Sequence, residues 1–366
     1  MDVATPRPLG RTDLRVTPLG FGAATIGRPT VTDEVGLATV REAWDRGVRF
    51  FDTAPWYGIG RSERRLGLAL GALEARDEFL VNTKVGRWLV PEPAPDEGRE
   101  TRAPGGDPRT PRDRRTGFRI AFEYTYDAIH AQHYDSRQRL GLATVDSLTI
   151  HDLDRGYHDA DQMAVHLGEL SREGGGGARA LEELRASGAI GAIGIGCNLE
   201  TRNAHSWLDD SHEDLYERLV DMVDLDFFIV AGGYTLLEQR ALRRLMPLLE
   251  RRGIGVVIAS PYAGGWLAAP GEEGYMYAPA PPEVVERSGH VQATCEAHGV
   301  PMAAAALQFP LAHPAVATII PGAKSPAEAA ENADRLAVPI PPALWADLKA
   351  QSLIDPAAPT PGEAVG

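Results

Sequence analysis

Eight short apolar runs recur along the 366-residue chain, and each is followed by a polar loop and then by a helical pattern. The runs are nearly continuous and rich in β-branched residues, which is typical of parallel strands covered on both faces. Eight such units predict a (β/α)8 TIM barrel in the α/β class, with a doubly wound sheet as the alternative. The runs span residues 19–24, 48–53, 79–85, 145–153, 189–196, 224–232, 253–260 and 316–322.

We expect a single domain over residues 1–366, with a core of about 7–350 and a C-terminal tail at 351–366. Residues 7–20 predict a small N-terminal β-hairpin that closes the barrel floor. Residues 87–118 are rich in Pro, Gly and Arg and are too long for an ordinary connection. They predict a long loop excursion on the active face, where the chain could form a flexible lid.

The charge and the cysteines limit the classes of function. A formal net charge of -14 argues against binding to nucleic acid or to anionic lipid, since both require basic surfaces. Cys197 and Cys295 match neither a disulfide framework nor a thiolate metal site, so we expect no metal and a reducing, cytoplasmic location. No apolar run approaches the roughly 20 residues of a membrane helix, and no cleavable leader is seen. The sequence is compatible with a homo-oligomer and does not decide the number of subunits.

Three glycine-rich stretches resemble phosphate-binding loops only superficially. "GGGG" at 174–177 lacks the following Lys-Ser/Thr of a phosphate cradle, so it predicts a flexible turn. "GFGAAT" at 20–25 and "GIGRSE" at 58–63 lack the third glycine of a dinucleotide fingerprint. If the protein binds a nucleotide, a structural element other than a glycine-rich phosphate loop must therefore hold it.

Four chemically active residues follow neighbouring predicted strands. Asp52 and Tyr57 come after the second strand, Lys84 ends the third, and His151 ends the fourth. The carboxyl ends of barrel strands meet at one mouth, where catalytic groups lie. Each residue alone has an ordinary structural explanation as a cap, a wall residue, a salt-bridge partner or a core histidine.

Taken together, these four residues indicate proton transfer on an oxygen atom. The chain has only three lysines among its 37 Lys and Arg residues, so Lys84 is not generic surface charge. Its ammonium would stabilise a Tyr57 phenolate, and Asp52 would hold the ammonium in place. A neutral His151 would orient a carbonyl or alcohol oxygen. The natural complement is hydride transfer at the attached carbon to a nicotinamide.

The chain resembles the aldo-keto reductases over nearly its full length. "FFDTAPWYG" is similar to their Asp-Thr-Ala-x-x-Tyr-Gly segment, "TKVG" to their lysine strand, and "IHDLD" to their histidine strand. "IIPGAKSPAEAAEN" is similar to their adenine-side cofactor loop. The resemblance implies that Asp52, Tyr57, Lys84 and His151 are the catalytic tetrad of that family, and that NAD or NADP is the cofactor.

Other segments resemble one branch of that family. They are "FEYTYDAI" (122–129), "QRLGL" (138–142), "HDLD" (151–154) and "AGGYTLLEQ" (231–239). The branch contains D-threo-aldose 1-dehydrogenases, also called L-fucose or galactose dehydrogenases, and pyridoxal 4-dehydrogenases. The resemblance implies oxidation of a cyclic hemiacetal to a lactone, with a sugar or an aldehyde as the small-molecule substrate.

The resemblance also implies a set of cofactor residues. Asn198 matches an asparagine that binds the nicotinamide carboxamide, and Ser260 begins a loop around the pyrophosphate. The chain departs from the family at Ala259, where an aromatic residue usually stacks on the nicotinamide, and at Ala231, where a glutamine is usual. The implied cofactor residues are Gly22, Asn198, Ser260, Gly264, Leu267, Gly322, Lys324, Glu328, Glu331 and Asn332.

Glu328 bears on the choice between NAD and NADP. It stands where NADP-preferring members carry an arginine for the 2′-phosphate, and a carboxylate there repels phosphate and favours NAD. It is also the fourth residue of "SPAE", a capping box that stabilises a helix whatever binds. Lys324 could still meet a phosphate.

The substrate site and the function class keep alternatives open. The substrate candidates are Trp56, Trp88, Asp152 and Asp154, because sugar sites pair aromatic faces with carboxylates. The alternatives to an aldose 1-dehydrogenase are a pyridoxal 4-dehydrogenase, a general aldehyde or ketone reductase, a non-enzymatic cofactor-binding regulatory barrel, and a metal hydrolase using His151 with Asp52, Asp152 and Asp154.

Overall fold

The structure is a computed structural model that describes residues 5–91, 117–198, 210–272, 274–276 and 278–363. Its strands form one eight-stranded parallel sheet and two short antiparallel ribbons. The strands are β1 (Arg7–Pro8), β2 (Arg15–Val16), β3 (Phe21–Gly22), β4 (Phe50–Asp52), β5 (Leu80–Val85), β6 (Arg87–Pro91), β7 (Phe118–Phe122), β8 (Ser147–His151), β9 (Ala192–Asn198), β10 (Phe227–Ala231), β11 (Gly255–Ala259) and β12 (Val316–Ile320).

The large sheet follows the order β3-β4-β5-β8-β9-β10-β11-β12, which is the chain order of the eight predicted runs. Parallel bridges from Leu19 to Ile319 and from Gly22 to Gly322 join its first and last strands. The sheet therefore closes on itself, which confirms the (β/α)8 barrel. The doubly wound alternative is wrong because such a sheet stays open at both edges.

Helices follow most of the barrel strands and cover the outside of the sheet. Their starts carry side-chain caps where the sequence offers Ser, Thr or Asp: Thr32 accepts from the Val35 N–H, and Thr125 from the Ala128 N–H. The helices are α1 (Asp33–Asp45), α2 (Arg61–Gly71), α3 (Tyr126–Leu140), α4 (Ala160–Leu170), α5 (Gly177–Ala186), α6 (Asp210–Met222), α7 (Leu245–Arg252), α8 (Pro282–Ala297), α9 (Met302–Gln308), α10 (Pro326–Ala337) and α11 (Pro342–Ala350).

Two apolar clusters form the core. The larger lies between the sheet and the helices, and the smaller includes Phe50, Phe227 and Val257 from strands on different sides of the barrel. The strands are thus buried on both faces, which explains why they are nearly continuous apolar runs.

The predicted N-terminal hairpin is present. β1 pairs with β2 in antiparallel register, and Leu9 between them joins the smaller apolar cluster. Gly10 has φ +60°, and a Cβ there would lie 2.0 Å from the Asp226 carbonyl oxygen. The hairpin therefore packs its backbone against the amino end of β10, at the floor.

Parts of the predicted excursion and of the predicted tail pair or pack within the described residues. β6 and β7 form an antiparallel ribbon at the base of the 87–118 excursion, whose residues 92–116 lie outside the described part. The tail packs on the barrel, since Ile354 and Ala358 are buried and Arg287 donates to the Leu353 carbonyl at 2.7 Å. In the described residues, no helix is both long enough and apolar enough to cross a membrane.

The glycine run at 174–177 is a tight turn. The Gly175 carbonyl accepts from the Tyr126 N–H at 2.8 Å, and Gly176 has φ +77° immediately before α5. A Cβ at Gly177 would lie 2.0 Å from the Tyr124 carbonyl oxygen, so the run allows the start of α5 to pack closely on the backbone just before α3.

Candidate active site

The four candidate catalytic residues lie at one mouth of the barrel. Asp52 is the last residue of β4, Lys84 is the penultimate residue of β5, and His151 is the last residue of β8. These strands are neighbours in the sheet, and Tyr57 lies in the loop that leaves β4. The topology thus brings together side chains that are up to about a hundred residues apart in sequence.

Asp52 and Lys84 form a buried ion pair. The Lys84 Nζ lies 2.5 Å from the Asp52 Oδ1, and each side chain is 3% exposed. The Lys84 ammonium also donates to the Thr53 carbonyl at 2.9 Å. Because burial of either charge alone would be very unfavourable, each one stabilises the other and the ammonium is held in one place.

Tyr57 lies close to both the Lys84 ammonium and the His151 ring. The Nζ is 5.0 Å from the centroid of the Tyr57 ring, and the His151 ring is 5.8 Å from it at an interplanar angle of 87°. Tyr57 is half-buried, whereas the other three residues are buried. The phenol is therefore the member of the group most accessible from solvent.

Glycine residues place the Tyr57 loop. Gly58 has φ +65°, and a Cβ there would lie 2.0 Å from the Gly27 carbonyl oxygen. Gly27 in turn approaches the Tyr57 carbonyl, since its own added Cβ would lie 2.8 Å from that oxygen. Backbone thus packs directly on backbone, which sets the height of the phenol above the barrel.

Asn82 supports the ion pair from below and was missed from the sequence. Its Nδ2 donates to the Asp52 Oδ1 at 2.7 Å, and its Oδ1 accepts from Ser147 Oγ at 2.8 Å and Thr149 Oγ1 at 3.0 Å. These polar residues lie inside the barrel on β5 and β8. A polar residue within an apolar run was the available signal, because such residues need buried partners.

Arg87 is a second residue that sequence reasoning missed. It is 3% exposed and forms an ion pair with the Asp152 Oδ2, and its guanidinium carbon lies 3.7 Å from the centroid of the Trp56 ring. The sequence placed Arg87 at the start of a surface loop. Its partner is 65 residues away, so no local pattern indicated burial.

The predicted substrate residues form contacts with other side chains and with the backbone of the chain. Trp56 stacks on Arg87, and the Trp88 Nε1 donates to the Asp135 Oδ2 on α3 at 2.9 Å. The Asp154 Oδ1 accepts from the Gly156 N–H at 2.9 Å. The roles of Trp56, Trp88 and Asp152 toward a substrate stay predictions.

Asn198 ends β9 and meets two carboxylates. Its Nδ2 lies 3.1 Å from the Asp152 Oδ1 and 3.4 Å from the Asp154 Oδ2, and its N–H donates to the latter at 3.2 Å. Its carbonyl accepts from the Tyr216 hydroxyl at 2.6 Å. Burial raises the pKa of the Tyr216 phenol well above its usual value, so Tyr216 remains a neutral donor.

The loop after β11 has several residues in left-handed conformation. Ser260 has φ +53°, Ala263 has φ +51° and Gly264 has φ +82°. For the non-glycine residues this conformation is uncommon and marks a loop whose shape is imposed by its surroundings. Leu267, which the sequence also assigned to the cofactor, is 1% exposed and belongs to the core.

The start of α10 contains the remaining predicted cofactor residues. Ser325 Oγ caps the helix by accepting from the Glu328 N–H at 3.3 Å, and the Glu328 Oε2 accepts from the Lys324 N–H at 2.8 Å. Ser325 therefore caps the helix as expected, but the capping box is incomplete, because the Glu328 side chain accepts from the Lys324 N–H and not from the Ser325 N–H. This contact does not exclude a second role for Glu328 toward a nucleotide.

Glu331 and Asn332 belong to a network with Tyr262. The Arg335 Nη2 donates to the Glu331 Oε2 at 2.8 Å, and its Nη1 donates to the Tyr262 hydroxyl at 3.2 Å. Tyr262 donates to the Asn332 Oδ1 at 2.8 Å, and burial raises the pKa of its phenol to about 12. Asn332 is thereby held beside the loop after β11.

Within the described ranges, no group of three or more His, Cys, Asp or Glu residues could hold a metal ion. His151 and the carboxylates Asp52, Asp152 and Asp154 do not converge as the metal hydrolase hypothesis requires. Asp52 is instead paired with Lys84, and Asp152 with Arg87.

Comparison with known proteins gives the class. The sequence model of the aldo/keto reductase family matches residues 18–352. The chain therefore belongs to the aldo/keto reductase family of oxidoreductases, which use NAD(P)H. Hydrolysis at a metal centre is not the chemistry of this family, so the metal hydrolase hypothesis is not retained.

Individual relatives and solved structures are similar to this chain over nearly its whole length. A pyridoxal 4-dehydrogenase from Microbacterium luteolum is 39% identical over 95% of this chain and 97% of that protein. A D-threo-aldose 1-dehydrogenase from Pseudomonas sp is 37% identical over 95% of this chain and 96% of that protein. The holo form of an aldo-keto reductase from Bacillus halodurans has the same fold, with a TM-score of 0.68 and 22% identity over 97% of this chain and 98% of that one.

Proposed function

We propose that the protein is a nicotinamide-dependent dehydrogenase that oxidises the cyclic hemiacetal of an aldose of the L-fucose or D-threo type to a lactone. The observation that carries the proposal is the buried Lys84–Asp52 pair beside the Tyr57 ring. The relative named for D-threo-aldose supports the substrate class. Pyridoxal is the second candidate, because another relative of similar identity is named for it.

The residues at the mouth fit a nicotinamide cofactor. Asn198, with its amide nitrogen directed to two carboxylates, is suited to a carboxamide, and the left-handed loop from Ser260 to Gly264 would follow the pyrophosphate. The start of α10 would meet the adenosine. When bound, the nicotinamide supplies the acceptor for a hydride.

The chain's own residues would move the proton. Tyr57 as phenolate takes the proton of the anomeric hydroxyl, and the Lys84 ammonium stabilises that phenolate before the proton arrives. Asp52 keeps the ammonium charged and in position. His151, beside the phenol, hydrogen-bonds the same substrate oxygen and orients it.

We propose NAD rather than NADP as the preferred cofactor. The Glu328 carboxylate at the first turn of α10 would repel a 2′-phosphate and could accept a hydrogen bond from a ribose hydroxyl. Lys324 does not offset the Glu328 charge fully, because its Nζ lies 3.5 Å from the Glu328 Oε1 and is already paired.

We infer a cytoplasmic enzyme that acts on small molecules.

The test is turnover on a defined panel. L-fucose, D-arabinose, L-galactose and pyridoxal would each be mixed with the protein and either NAD or NADP, and the absorbance of the reduced cofactor followed. We expect turnover with at least one hemiacetal, faster with NAD, and the loss of most of that turnover in Tyr57→Phe. A parallel assay with open-chain aldehydes and ketones would supply the reduced cofactor and follow its loss of absorbance, and activity in that assay alone would point to a general reductase. Cofactor binding without any turnover would support a regulatory barrel instead.

A further inference from the structure

We propose that Asp152, held by the buried Arg87, is a positioning residue that sets the orientation of the Asn198 amide and of the His151 ring. This inference rests on the proposed function, because it takes Asn198 as the residue that receives the nicotinamide. It gives Asp152 a role in the cofactor site in place of a contact with the sugar.

The two oxygens of the Asp152 carboxylate serve different partners. Oδ1 accepts from the Asn198 Nδ2 at 3.1 Å, whereas Oδ2 forms the ion pair with Arg87 and lies 3.4 Å from the His151 Nε2. Asp152 directly follows His151 and has φ +51°. A non-glycine residue keeps this conformation only where its surroundings impose it, and these contacts are such surroundings.

Arg87 prevents the carboxylate from turning toward solvent. Its guanidinium carbon lies 3.7 Å from the centroid of the Trp56 ring, 4.7 Å from that of Tyr157 and 5.2 Å from that of Phe122. These rings exclude water from a residue that is 3% exposed. A buried guanidinium needs a counter-charge, so Arg87 and Asp152 stay together.

The consequence concerns which side of the amide faces a ligand. The Asn198 Nδ2 is directed to the carboxylates of Asp152 and Asp154, at 3.1 and 3.4 Å. The amide oxygen must then point to the opposite side, where it can accept from the N–H₂ of a carboxamide. Without the Asp152 charge, the amide can rotate and present its nitrogen there.

The experiment compares two ligands that differ by the nicotinamide. Equilibrium dissociation constants of NAD and of ADP-ribose, which lacks the nicotinamide, would be measured for the wild-type protein and for Asp152→Asn. We expect the NAD constant to rise about tenfold, as for one lost hydrogen bond to a charged group, and the ADP-ribose constant to stay within about twofold. Asn198→Ala should show the same pattern, and Asp152→Asn on that background should add little.

Two further variants make the test robust. Glu63→Gln changes another buried carboxylate, which pairs with Arg139 at 2.5 Å and accepts from the Thr83 hydroxyl at 2.7 Å, and it should leave both constants unchanged. If Asp152→Asn does not fold because Arg87 loses its counter-charge, the double variant Arg87→Gln/Asp152→Asn removes both charges and should show the selective loss of NAD affinity.

Three outcomes would overturn the inference. Unchanged NAD affinity with a raised KM for the sugar would make Asp152 a substrate contact. An equal loss of NAD and ADP-ribose affinity would make its role structural, and additive effects in the double variant with Asn198 would show that the two residues act separately. These binding measurements stand apart from the aldose panel, where inactivity of the wild-type protein counts against the proposed function alone.

Discussion

Two charged regions of the barrel mouth differ sharply in their burial. The catalytic rim, which consists of Asp52, Tyr57, Lys84 and His151, has its ion pair enclosed, with both side chains 3% exposed. In the cofactor arm, residues 322–332, the Lys324 and Glu328 side chains are 45% and 36% exposed although they also form a pair. One region keeps its charges from water, and the other leaves them in contact with it.

The difference indicates what each region's charges can do. In the rim, the removal of one partner leaves the other buried and uncompensated, so stability and activity depend on the same contact. In the arm, water replaces a lost partner and exposed pairs contribute little to stability. The arm can therefore change its charges to select a cofactor while the barrel stays folded.

The largest expected effect comes from breaking the pair in the rim. Lys84→Met should lower the free energy of unfolding by about 3–5 kcal/mol, because the Asp52 carboxylate stays buried without a counter-charge. It should also abolish turnover, because the phenolate loses its cation. Urea unfolding and steady-state assays measure the two effects.

Lys349→Met is the matched control for Lys84. Lys349 pairs with Glu363 at 2.8 Å, and the carboxylate there is 52% exposed. We expect a loss of less than about 1 kcal/mol and unchanged turnover. Equal losses for both variants would mean that burial does not distinguish these charges.

Removal of the Tyr57 hydroxyl should give the next largest effect, and it should change the catalytic rate alone. Tyr57→Phe should lower kcat by about 10²–10⁴-fold, the contribution of a general acid or base, and leave the dissociation constant of NAD nearly intact. The exposed Tyr134→Phe serves as the control. A loss of NAD affinity as large as the loss of rate would assign Tyr57 to cofactor binding.

The cofactor arm should respond in specificity and not in stability. Glu328→Arg is expected to raise the ratio of kcat/KM for NADP to that for NAD about tenfold, which is about 1.4 kcal/mol, with little change in the free energy of unfolding. Glu328→Gln keeps an oxygen that can accept from the Lys324 N–H and should give an intermediate ratio. An unchanged preference in both variants would leave Glu328 as a cap only.

The contrast between buried and exposed groups extends to the outer wall, where the smallest effect is expected. Burial, with help from Arg137 and His130, lowers the pKa of His133 to about 4, below the ordinary value of 6.5. The unfolded chain therefore binds a proton between pH 6.5 and 4 that the native chain does not, and stability falls as the pH falls through this window.

Between pH 7 and pH 5 the free energy of unfolding should fall by roughly 1 kcal/mol less in His133→Gln than in the wild-type protein. Urea unfolding at both pH values measures it, with the exposed His290→Gln as the control. Identical pH dependence in the wild-type protein and His133→Gln would show that His133 accepts a proton as easily in the folded chain as in the unfolded chain.

Much of the architecture could be read before any coordinates. The eight strands and the floor hairpin follow from apolar runs and helical patterns, which are local features of sequence, whereas the bridges between the first and last strands decided that the sheet closes into a barrel. Asp52, Lys84 and His151 could be placed at one mouth because parallel strands bring their carboxyl ends together. The ribbon β6–β7 could not be read, because it pairs segments that are separated by a long polar stretch.

The sequence by itself determined the eight strands, the resemblance to the aldo/keto reductases and the residues that could transfer a proton, because strand patterns and short motifs are encoded within a few neighbouring residues. Only the tertiary structure decided that Arg87 is buried against Trp56, that Asn82 supports the ion pair, and that Asp152 faces Asn198. Burial and pairing of charge depend on groups from distant segments, and that information exists only once the chain has closed the barrel.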